Sequence, residues 1–237
     1  MNSLQLSNRL KIVASYLPKK ANFADIGSDH AYLPCYVCLH DEEATAIAGE
    51  VNEGPFQSAR KEVRQQGLSD RIEVRKGNGL AVIEEKEVSQ LTIAGMGATL
   101  IATILEEGKR KLTGVHRIIV QPNINAIVLR KWFLENGYEL VSEDVIEEEG
   151  HFYEVLVADK GASSNPYGVE DMEKELYLGP FLLRDCSEPF IQKWTQEKNK
   201  LTRVIGEMKK ASQPDQVKIN EFTRQLQWIE EVIGNET

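Results

Sequence analysis

The sequence predicts an α/β domain, with a mostly parallel sheet closed by a β-hairpin, followed by a small all-α segment. Over the first 160 residues, short apolar runs alternate with helical patterns, which is typical of parallel strands covered by helices. Two long strand patterns separated by Gly150 then interrupt this alternation. Beyond residue 160, apolar residues recur at helical spacing. We therefore expect a sheet domain over residues 1–160 and a helical domain over residues 161–237.

The sheet domain is predicted to begin with a helix and three β/α units. Residues 4–17 have the apolar spacing of a helix, which Pro18 ends. Strands are predicted at residues 23–26, 44–48 and 72–74. One helix follows from about Ala31, and a second carries Pro55 near its first turn, where a missing N–H costs nothing.

The second half of the domain is predicted to add two further β/α units and a hairpin. Strands are expected at residues 91–94 and 117–120, with helices ending near residue 105 and covering residues 126–134. Residues 138–149 and 151–158 then form two consecutive strand patterns. Five β/α units followed by a hairpin are typical of a Rossmann-like methyltransferase, and differ from a two-halved dinucleotide dehydrogenase.

The segment after residue 160 is predicted to be a hinge followed by a helix pair. Residues 161–168 (GASSNPYG) are rich in turn formers and suit a hinge. Apolar residues recur on either side of a breaker at residues 212–215, and the series is Trp194, Leu201, Val204 and Met208, then Ile219, Phe222, Leu226, Ile229 and Ile233. Spacings of three, four and seven predict an antiparallel helical hairpin with coiled-coil-like packing.

Composition excludes several classes of protein. No run of 18 apolar residues predicts a membrane span, and the polar start lacks a secretory signal, so we expect a soluble cytoplasmic protein. Three cysteines do not predict a disulfide framework. The pair Cys35 and Cys38 lacks a second pair, and the histidines lack ligand spacing, so no metal is predicted. The net charge of −9 argues against nucleic-acid binding by the whole surface, although residues 191–237 carry eight basic and seven acidic side chains.

The segment after the first predicted strand carries the strongest site signal. It contains Asp25, Gly27, Ser28, Asp29 and His30, and ligands of such sheets bind where the strands end. A dinucleotide fingerprint is absent, because acidic side chains stand where a pyrophosphate needs bare N–H groups. Carboxylates suit the ammonium and sulfonium of S-adenosyl-L-methionine, which we predict as the cofactor. The alternative is that Asp29 merely caps the next helix.

Three further loops are predicted to complete the cofactor site. Glu50, 25 residues after Asp25, is placed to accept the ribose hydroxyls. Asn78 is placed to contact the adenine, with Leu80 as apolar cover. The remaining members predicted to bind the cofactor are Val51, Asn52, Gly79, Gly95 and Met96. Each signal is weak alone, and the four loops together are considerably stronger.

The motifs resemble those of a known family. The segments are DIGSDHAYLP (25–34), GNGL (77–80), IAGMG (93–97) and QPN (121–123), and together they resemble the bacterial tRNA (adenine-22)-N1-methyltransferase family. The resemblance covers essentially the whole chain, including the helical pair. One departure is Ala98, where the family pattern leads us to expect a glycine.

The resemblance implies methylation of N1 of a D-loop adenine in tRNA, without a metal. It makes Asp29 the candidate for stabilising the positive charge of the product or accepting a proton. Gln121, Pro122 and Asn123 are then expected to hold the target base, and Arg9 to pair with the cofactor carboxylate. Candidate phosphate contacts in the tail are Lys193, Lys198, Lys200, Arg203, Lys209, Lys210, Lys218 and Arg224.

Other interpretations stay open from the sequence. The same loops would serve a methyltransferase acting on another RNA or a small molecule, or a non-catalytic nucleotide-binding regulator. The helix pair is as compatible with stabilising the sheet domain as with docking RNA. The oligomeric state is open, with a monomer slightly favoured.

Overall fold

The computed structural model describes residues 3–161 and 165–234. Within these residues one mixed sheet is formed by β1 (Asn22–Ile26), β2 (Thr45–Glu50), β3 (Ile72–Lys76), β4 (Gln90–Met96), β5 (Arg117–Pro122), β6 (Tyr138–Glu148) and β7 (His151–Lys160). Their spatial order is β3-β2-β1-β4-β5-β7-β6. The sequence therefore predicted the five parallel strands and the closing hairpin correctly, whereas the third of the five β/α units has only a 3₁₀ turn, at Gly79–Val82, in place of a helix.

The first five strands run parallel and place their carboxyl ends along one edge of the sheet. β1 lies in the centre, with Asp25 opposite Ala48 of β2 and Thr92 of β4. β7 runs antiparallel to β5, with Leu156 opposite Val120. The chain order changes direction between β1 and β4, so the loops after these strands flank the crevice in which sheets of this kind bind ligands.

Helices connect the strands of the sheet. They are α1 (Asn8–Ser15), α2 (Tyr32–His40), α3 (Glu53–Gln65), α4 (Ala98–Glu107) and α5 (Ile127–Glu135), with short 3₁₀ turns at Gly79–Val82 and Lys109–Gly114. Their apolar residues and the strands form a core that includes Phe23, Ile119 and Val157. Trp132 and Phe133 of α5 are buried, as is typical of core residues.

The bounds of the opening helix and of three strands differ from those that the sequence predicted. The opening helix begins at Asn8, with Ser7 as its N-cap, and Leu4 lies largely exposed outside it, so residues 4–17 overstated its length. Strands β2, β4 and β5 continue through Glu50, Met96 and Pro122, beyond the apolar runs that predicted them. Backbone pairing with neighbouring strands extends these strands, and it does not depend on apolar side chains.

A buried ion cluster joins α5 to the hairpin. The guanidinium of Arg130 is fully buried, and its Nε donates to Glu143 Oε1 of β6 at 2.6 Å. Arg130 also pairs with Glu154 of β7. Burial of a charge without partners is costly, so these pairs compensate the desolvation of Arg130 and fix α5 on the sheet.

The described residues group into two compact units, residues 3–144 with 153–161, and residues 145–152 with 165–234. The second unit contains the hairpin tip together with α6 (Met172–Leu178), α7 (Pro180–Asp185), α8 (Glu188–Lys210) and α9 (Gln216–Ile233). Residues 162–164 of the predicted hinge lie outside the described residues. The domain boundary at residue 160 stays a prediction.

The second unit has its own apolar core. Phe190, Trp194 and Leu201 of α8 are buried there with Ile229 of α9, and Val145 of the hairpin tip belongs to the same cluster. Asp215 begins α9 as its N-cap, accepting the N–H of Lys218 at 3.1 Å. Two helices separated by a breaker at residues 212–215 were therefore predicted correctly, whereas coiled-coil packing between them stays a prediction.

Two further features of the described residues concern membrane helices and metal ligands. No described helix is long and apolar enough to cross a bilayer. No three described His, Cys, Asp or Glu side chains are grouped so that they could hold a metal ion. Burial raises the pKa of Cys35 to about 12 and that of Cys38 to about 11. These two thiols therefore stay protonated and pack as small apolar residues.

Candidate functional site

The predicted site residues after β1 to β5 all lie at the carboxyl edge of the parallel strands. The central one is Asp25 in β1, which is buried. Its carboxylate accepts Ser28 Oγ at 2.6 Å and Thr92 Oγ1 of β4 at 2.7 Å. Burial raises the pKa of Asp25 to about 6, although both hydroxyl bonds lower it. Asp25 therefore holds the start of the β1–α2 loop against β4.

The β1–α2 loop is built from an unusual run of left-handed residues. Gly27 has φ +69°, and Asp29, His30 and Ala31 have φ of +36°, +67° and +57°. The N–H groups of Gly27 and Ser28 both donate to the carbonyl of Gly49, at 2.9 and 3.1 Å. Left-handed non-glycine residues are strained and persist only when the surrounding structure holds them. The hydrogen bonds to Gly49 therefore hold this strained, tight loop directly above the ends of β1 and β2.

Glu50, the last residue of β2, is the second buried carboxylate of the site. Its Oε1 accepts the N–H of Asp29. Burial raises the pKa of Glu50, whereas the N–H of Asp29 lowers it. The sequence prediction that Glu50 belongs beside the β1–α2 loop is consistent with this bond, which joins the two loops.

Asp29 and His30 face outward from the same loop. The Asp29 side chain is largely exposed, and its Oδ1 lies 3.5 Å from His30 Nε2. The His30 ring stacks on Tyr32, with 5.2 Å between the ring centroids. Ala31 occupies the N-cap position of α2 without a side-chain bond. The alternative in which Asp29 caps this helix was therefore wrong, and its carboxylate is directed to solvent.

The loops after β2 and β3 form the more exposed side of the candidate site. Val51 is 53% exposed, and Asn52 is the exposed N-cap of α3. Asn78 is exposed at the start of the 3₁₀ turn, where Gly79 has φ +52°. Leu80 is buried, and a Cβ added at Gly108 would lie 2.4 Å from Leu80 Cβ. Leu80 therefore packs within the protein, and the surface here is formed by its polar neighbours.

Gly95 and Met96 at the end of β4 border the β1–α2 loop. A Cβ added at Gly27 would lie 2.1 Å from Met96 Cε, so these two loops are in close contact. A Cβ at Gly95 would meet no heavy atom within 4 Å. Gly95 has φ +76°, and the pairing of β4 with β5 shifts register between Ala94 and Met96. This bulge exposes the Gly95 backbone at the strand end.

Gln121 and Asn123 bind the β5 loop to the β4 loop. Gln121 is fully buried, with its Oε1 accepting the N–H of Gly95 at 3.2 Å and its Nε2 donating to the Pro122 carbonyl at 2.9 Å. Asn123 is exposed, and its Nδ2 donates to the Gly95 carbonyl at 2.9 Å. The Asn123 N–H donates to the Met96 carbonyl at 2.7 Å. Of the predicted base-holding residues, Gln121 is enclosed and Asn123 faces the surface.

Arg9 lies at the same edge but outside these bonded loops. Its guanidinium is 4.6 Å from the centroid of the Tyr153 ring. Because Leu156 is opposite Val120 in the antiparallel pair, Tyr153 at the start of β7 lies near the carboxyl end of β5. The structure thus brings the five strand-end loops together, and it places Arg9 of α1 against Tyr153 of the hairpin beside them.

Sequence reasoning missed three residues of this edge. Thr92 fixes Asp25, but a threonine inside a strand carries no signal of that role. Tyr32 stacks on His30, and only its place two residues after a site residue pointed to it. Ile124 is 73% exposed directly after Asn123, and its position next to QPN was the available signal.

The arrangement suits S-adenosyl-L-methionine better than a dinucleotide. Asp29 and Glu50 place two carboxyl groups at the ends of β1 and β2, with the buried Asp25 carboxyl beneath them, and this charge favours an ammonium, a sulfonium and ribose hydroxyls over phosphates. The open backbone at Gly95 gives space for a ligand chain to approach. The residues present therefore fit this cofactor.

Comparisons with known proteins agree with the site. A family model described as tRNA (adenine(22)-N(1))-methyltransferase matches residues 23–231. The tRNA (adenine(22)-N(1))-methyltransferase of Bacillus subtilis is 45% identical over 237 residues, covering 99% of this chain and all of that protein. The crystal structure of the B. subtilis M1A22 tRNA methyltransferase TrmK has a TM-score of 0.91 at 44% identity, covering 97% of this chain and 99% of the other.

Two similar structures contain the cofactor or its product. A Streptococcus pneumoniae protein in complex with S-adenosyl-L-methionine is 42% identical, with a TM-score of 0.85, and covers 97% of this chain and 100% of the other. M. capricolum TrmK in complex with S-adenosyl-homocysteine is 28% identical, with a TM-score of 0.80, over 97% of this chain and 98% of the other. With the family model matching most of its length, the chain belongs to the tRNA (adenine(22)-N(1))-methyltransferase family.

Proposed function

We propose that this chain transfers a methyl group from S-adenosyl-L-methionine to N1 of adenine 22 in tRNA. The observation that carries the proposal is the match of the family model over residues 23–231, in a chain whose five strand-end loops lie at one edge of the sheet. The full-length identity of 45% to the B. subtilis tRNA (adenine(22)-N(1))-methyltransferase supports the same substrate.

The cofactor would be held by the loops after β1 to β4. Bound S-adenosyl-L-methionine supplies a methyl group on a cationic sulfur. We assign Glu50 to the ribose hydroxyls, because its carboxylate ends β2 and already holds the β1–α2 loop. Val51, Asn52, Asn78 and Gly79 would surround the adenine of the cofactor. Gly95 and Met96 would border its methionine part, with Gly27 allowing the backbone to approach closely.

The target adenine reacts through the lone pair of N1, so no proton has to leave that nitrogen. The methylated base carries a positive charge, which a nearby carboxylate stabilises. Asp29 is suited to this task because its carboxylate is directed outward from the β1–α2 loop. Asn123 is exposed for contact with the base edge, while Gln121 and Pro122 position its loop from below. Alignment of the two reactants can supply roughly 7–11 kcal/mol of the barrier reduction.

The second unit would contact tRNA through its cations. Several already pair with exposed carboxylates, at 3.2 Å for Lys198 with Glu230 and 2.9 Å for Lys210 with Glu207. Exposed pairs of this kind contribute only about 0–1 kcal/mol, so phosphates can replace the carboxylates. Arg203 and Lys209 pair with no carboxylate among residues 3–161 and 165–234, which makes them the strongest candidates. We further propose that the chain acts as a monomer in the cytoplasm, where tRNA is present.

Transfer of labelled methyl to an unmodified tRNA transcript tests this function. We expect label on a transcript with adenine at position 22 and none on the matched transcript with guanine there. Calorimetric titration with S-adenosyl-L-methionine shows in parallel whether the enzyme is competent to bind cofactor. Cofactor binding without label on the first transcript would contradict the substrate, and equal label on both transcripts would contradict the site of methylation.

A further inference from the structure

Ile124 is a large apolar side chain held in solvent beside the proposed target site. It is 73% exposed, between the polar residues Asn123 and Asn125. Burying an isoleucine side chain stabilises a fold, and this position does not gain that stabilisation. A single exposed apolar residue is ordinary on a protein surface, so the case depends on how the loop is built.

The backbone around Ile124 is fixed on both sides. Before it, the N–H of Asn123 donates to the Met96 carbonyl at 2.7 Å. The carbonyl of Ile124 itself accepts the N–H of Ala98 at 3.4 Å, and the carbonyl of Asn125 accepts the N–H of Val128 at 3.1 Å. The side chain is therefore exposed by a well-bonded loop rather than by a loose one.

The turn that directs Ile124 outward adopts a left-handed conformation. Asn125 has φ +63°, a region that asparagine tolerates better than most residues. Together with the buried amide of Gln121, this turn sets where the Ile124 side chain stands. Local strain maintained by surrounding bonds is characteristic of ligand-contacting loops.

Other exposed apolar side chains share this edge of the sheet. Leu100, in the first turn of α4, and Val51, directly after β2, are each 53% exposed. The bond from Ala98 to Ile124 shows that the start of α4 and the β5 loop adjoin. The carboxyl edge thus combines outward carboxylate and amide groups with an apolar surface.

A target adenine needs both kinds of surface. N1 lies on the Watson–Crick edge, so the base must leave its stack before this atom is accessible. An unstacked base loses apolar contact on both faces, and apolar side chains in the enzyme compensate for that loss. Asn123 offers hydrogen bonds for the edge, and the adjoining Ile124 offers a surface for a face.

We propose that Ile124 is the residue against which one face of the target adenine lies after it leaves the tRNA stack. The proposal rests on the proposed function, since it assigns a contact to the same substrate. The proposal predicts that kcat/KM for tRNA depends on the apolar area of the side chain at position 124. The Kd for S-adenosyl-L-methionine should not depend on it.

The test compares Ile124→Ser and Ile124→Phe with wild type. We expect Ile124→Ser to lower kcat/KM for the adenine-22 transcript roughly 10- to 100-fold, the range of a lost base contact. Ile124→Phe keeps an apolar face and should stay within about threefold of wild type. The Kd for S-adenosyl-L-methionine and the Tm should be unchanged in both variants.

The matched control is Leu134→Ser, another exposed apolar residue of this unit. It lies near the C-terminal end of α5, at the opposite edge of the sheet, and should leave kcat/KM unchanged. A transcript with 2-aminopurine at position 22 adds a direct readout, because its fluorescence rises on unstacking. Wild type should raise this signal and Ile124→Ser should not.

Two outcomes separate the inference from the function. If wild type and Ile124→Ser methylate the adenine-22 transcript equally well, the role of Ile124 is overturned. If wild type binds the cofactor but does not methylate this transcript, the proposed function is overturned, and with it adenine 22 of tRNA as the substrate.

Discussion

At the scale of single residues, the site depends on carboxylates whose burial changes their chemistry. Asp25 was predicted as a cofactor contact because of its place after an apolar strand. In the structure its carboxylate instead accepts the hydroxyls of Ser28 and Thr92, and burial raises its pKa to about 6. The place of Asp25 at the end of an apolar strand was visible in the sequence. Its bond to Thr92 was not, because Thr92 is 67 residues away in the chain.

The raised pKa of Asp25 predicts a pH dependence of stability. The folded pKa of about 6 exceeds the ordinary value of 3.8, so the folded state binds the proton more tightly than the unfolded state. Ionisation of Asp25 therefore lowers the free energy of unfolding. This loss is absent below about pH 4, increases as the pH rises to about 6, and is then constant at roughly 3 kcal/mol. Asp25→Asn removes the ionisation, so its stability relative to wild type should increase from pH 4 to pH 7.

Urea unfolding of both proteins at pH 4 and pH 7 measures this difference. Asp41→Asn is the control that should show little change over this range, because backbone N–H groups of Lys20 and Glu43 lower the pKa of the Asp41 carboxyl below 3.8, so its effect on stability changes mainly below about pH 4. A difference between Asp25→Asn and wild type that is the same at both pH values would show that burial does not raise this pKa.

At the scale of elements, the connections at the strand ends decide the site. The sequence indicated the β1–α2 loop from its glycine and acidic residues. It did not indicate that Asp29, His30 and Ala31 would all be left-handed, since this region is uncommon for any residue other than glycine. The bonds from this loop to the end of β2, through Gly49 and Glu50, hold them there. The loop conformation is therefore a property of two neighbouring strands.

Gly27→Ala tests whether this loop requires its glycine. A left-handed φ costs a non-glycine residue about 1–2 kcal/mol, and the added Cβ would lie 2.1 Å from Met96 Cε. The methionine end can move, whereas the backbone strain stays. We expect a lower Tm and weaker binding of S-adenosyl-L-methionine by calorimetry.

Gly54→Ala is the matched control for this loop variant. Gly54 lies in α3, and a Cβ there would meet no heavy atom within 4 Å. Gly54→Ala should leave the affinity for S-adenosyl-L-methionine unchanged. It should slightly raise the Tm, because glycine inside a helix is destabilising by about 0.5–1 kcal/mol relative to alanine. Equal cofactor affinity of Gly27→Ala and wild type would remove the assigned role of Gly27.

At the scale of the whole molecule, charge is divided unevenly along the chain. The net charge is −9, yet residues 191–237 hold eight basic and seven acidic side chains. Within the second unit, several cations of α8 and α9 pair with carboxylates, as Arg224 does with Glu173 at 2.7 Å. A count of charges could not reveal the pair of Arg224 with Glu173, because these partners lie on different helices.

The double variant Arg203→Glu/Lys209→Glu tests the tail as a tRNA contact. It should weaken tRNA binding and make the dependence of log K on log salt less steep, because fewer counterions are released. Cofactor affinity should be unchanged. Filter binding at several salt concentrations measures both quantities.

Lys19→Glu/Lys61→Glu gives the same change of total charge in the first unit and serves as the control. Lys19 precedes β1, at the edge opposite the site, and Lys61 lies on α3. If the two double variants weaken tRNA binding equally, the effect comes from net charge and not from the tail.

The sequence by itself determined the order of elements, the parallel sheet with its hairpin, and the loops that form the site. These features depend on periodicity and on residue types next to strand ends, which are local. Only the tertiary structure decided that Gln121 is enclosed, that Asn123 faces the surface, and that Ile124 stands in solvent beside it. The reason is that each of these positions is set by hydrogen bonds between β4 and β5, whose loops are brought together by strand pairing and not by nearness along the chain.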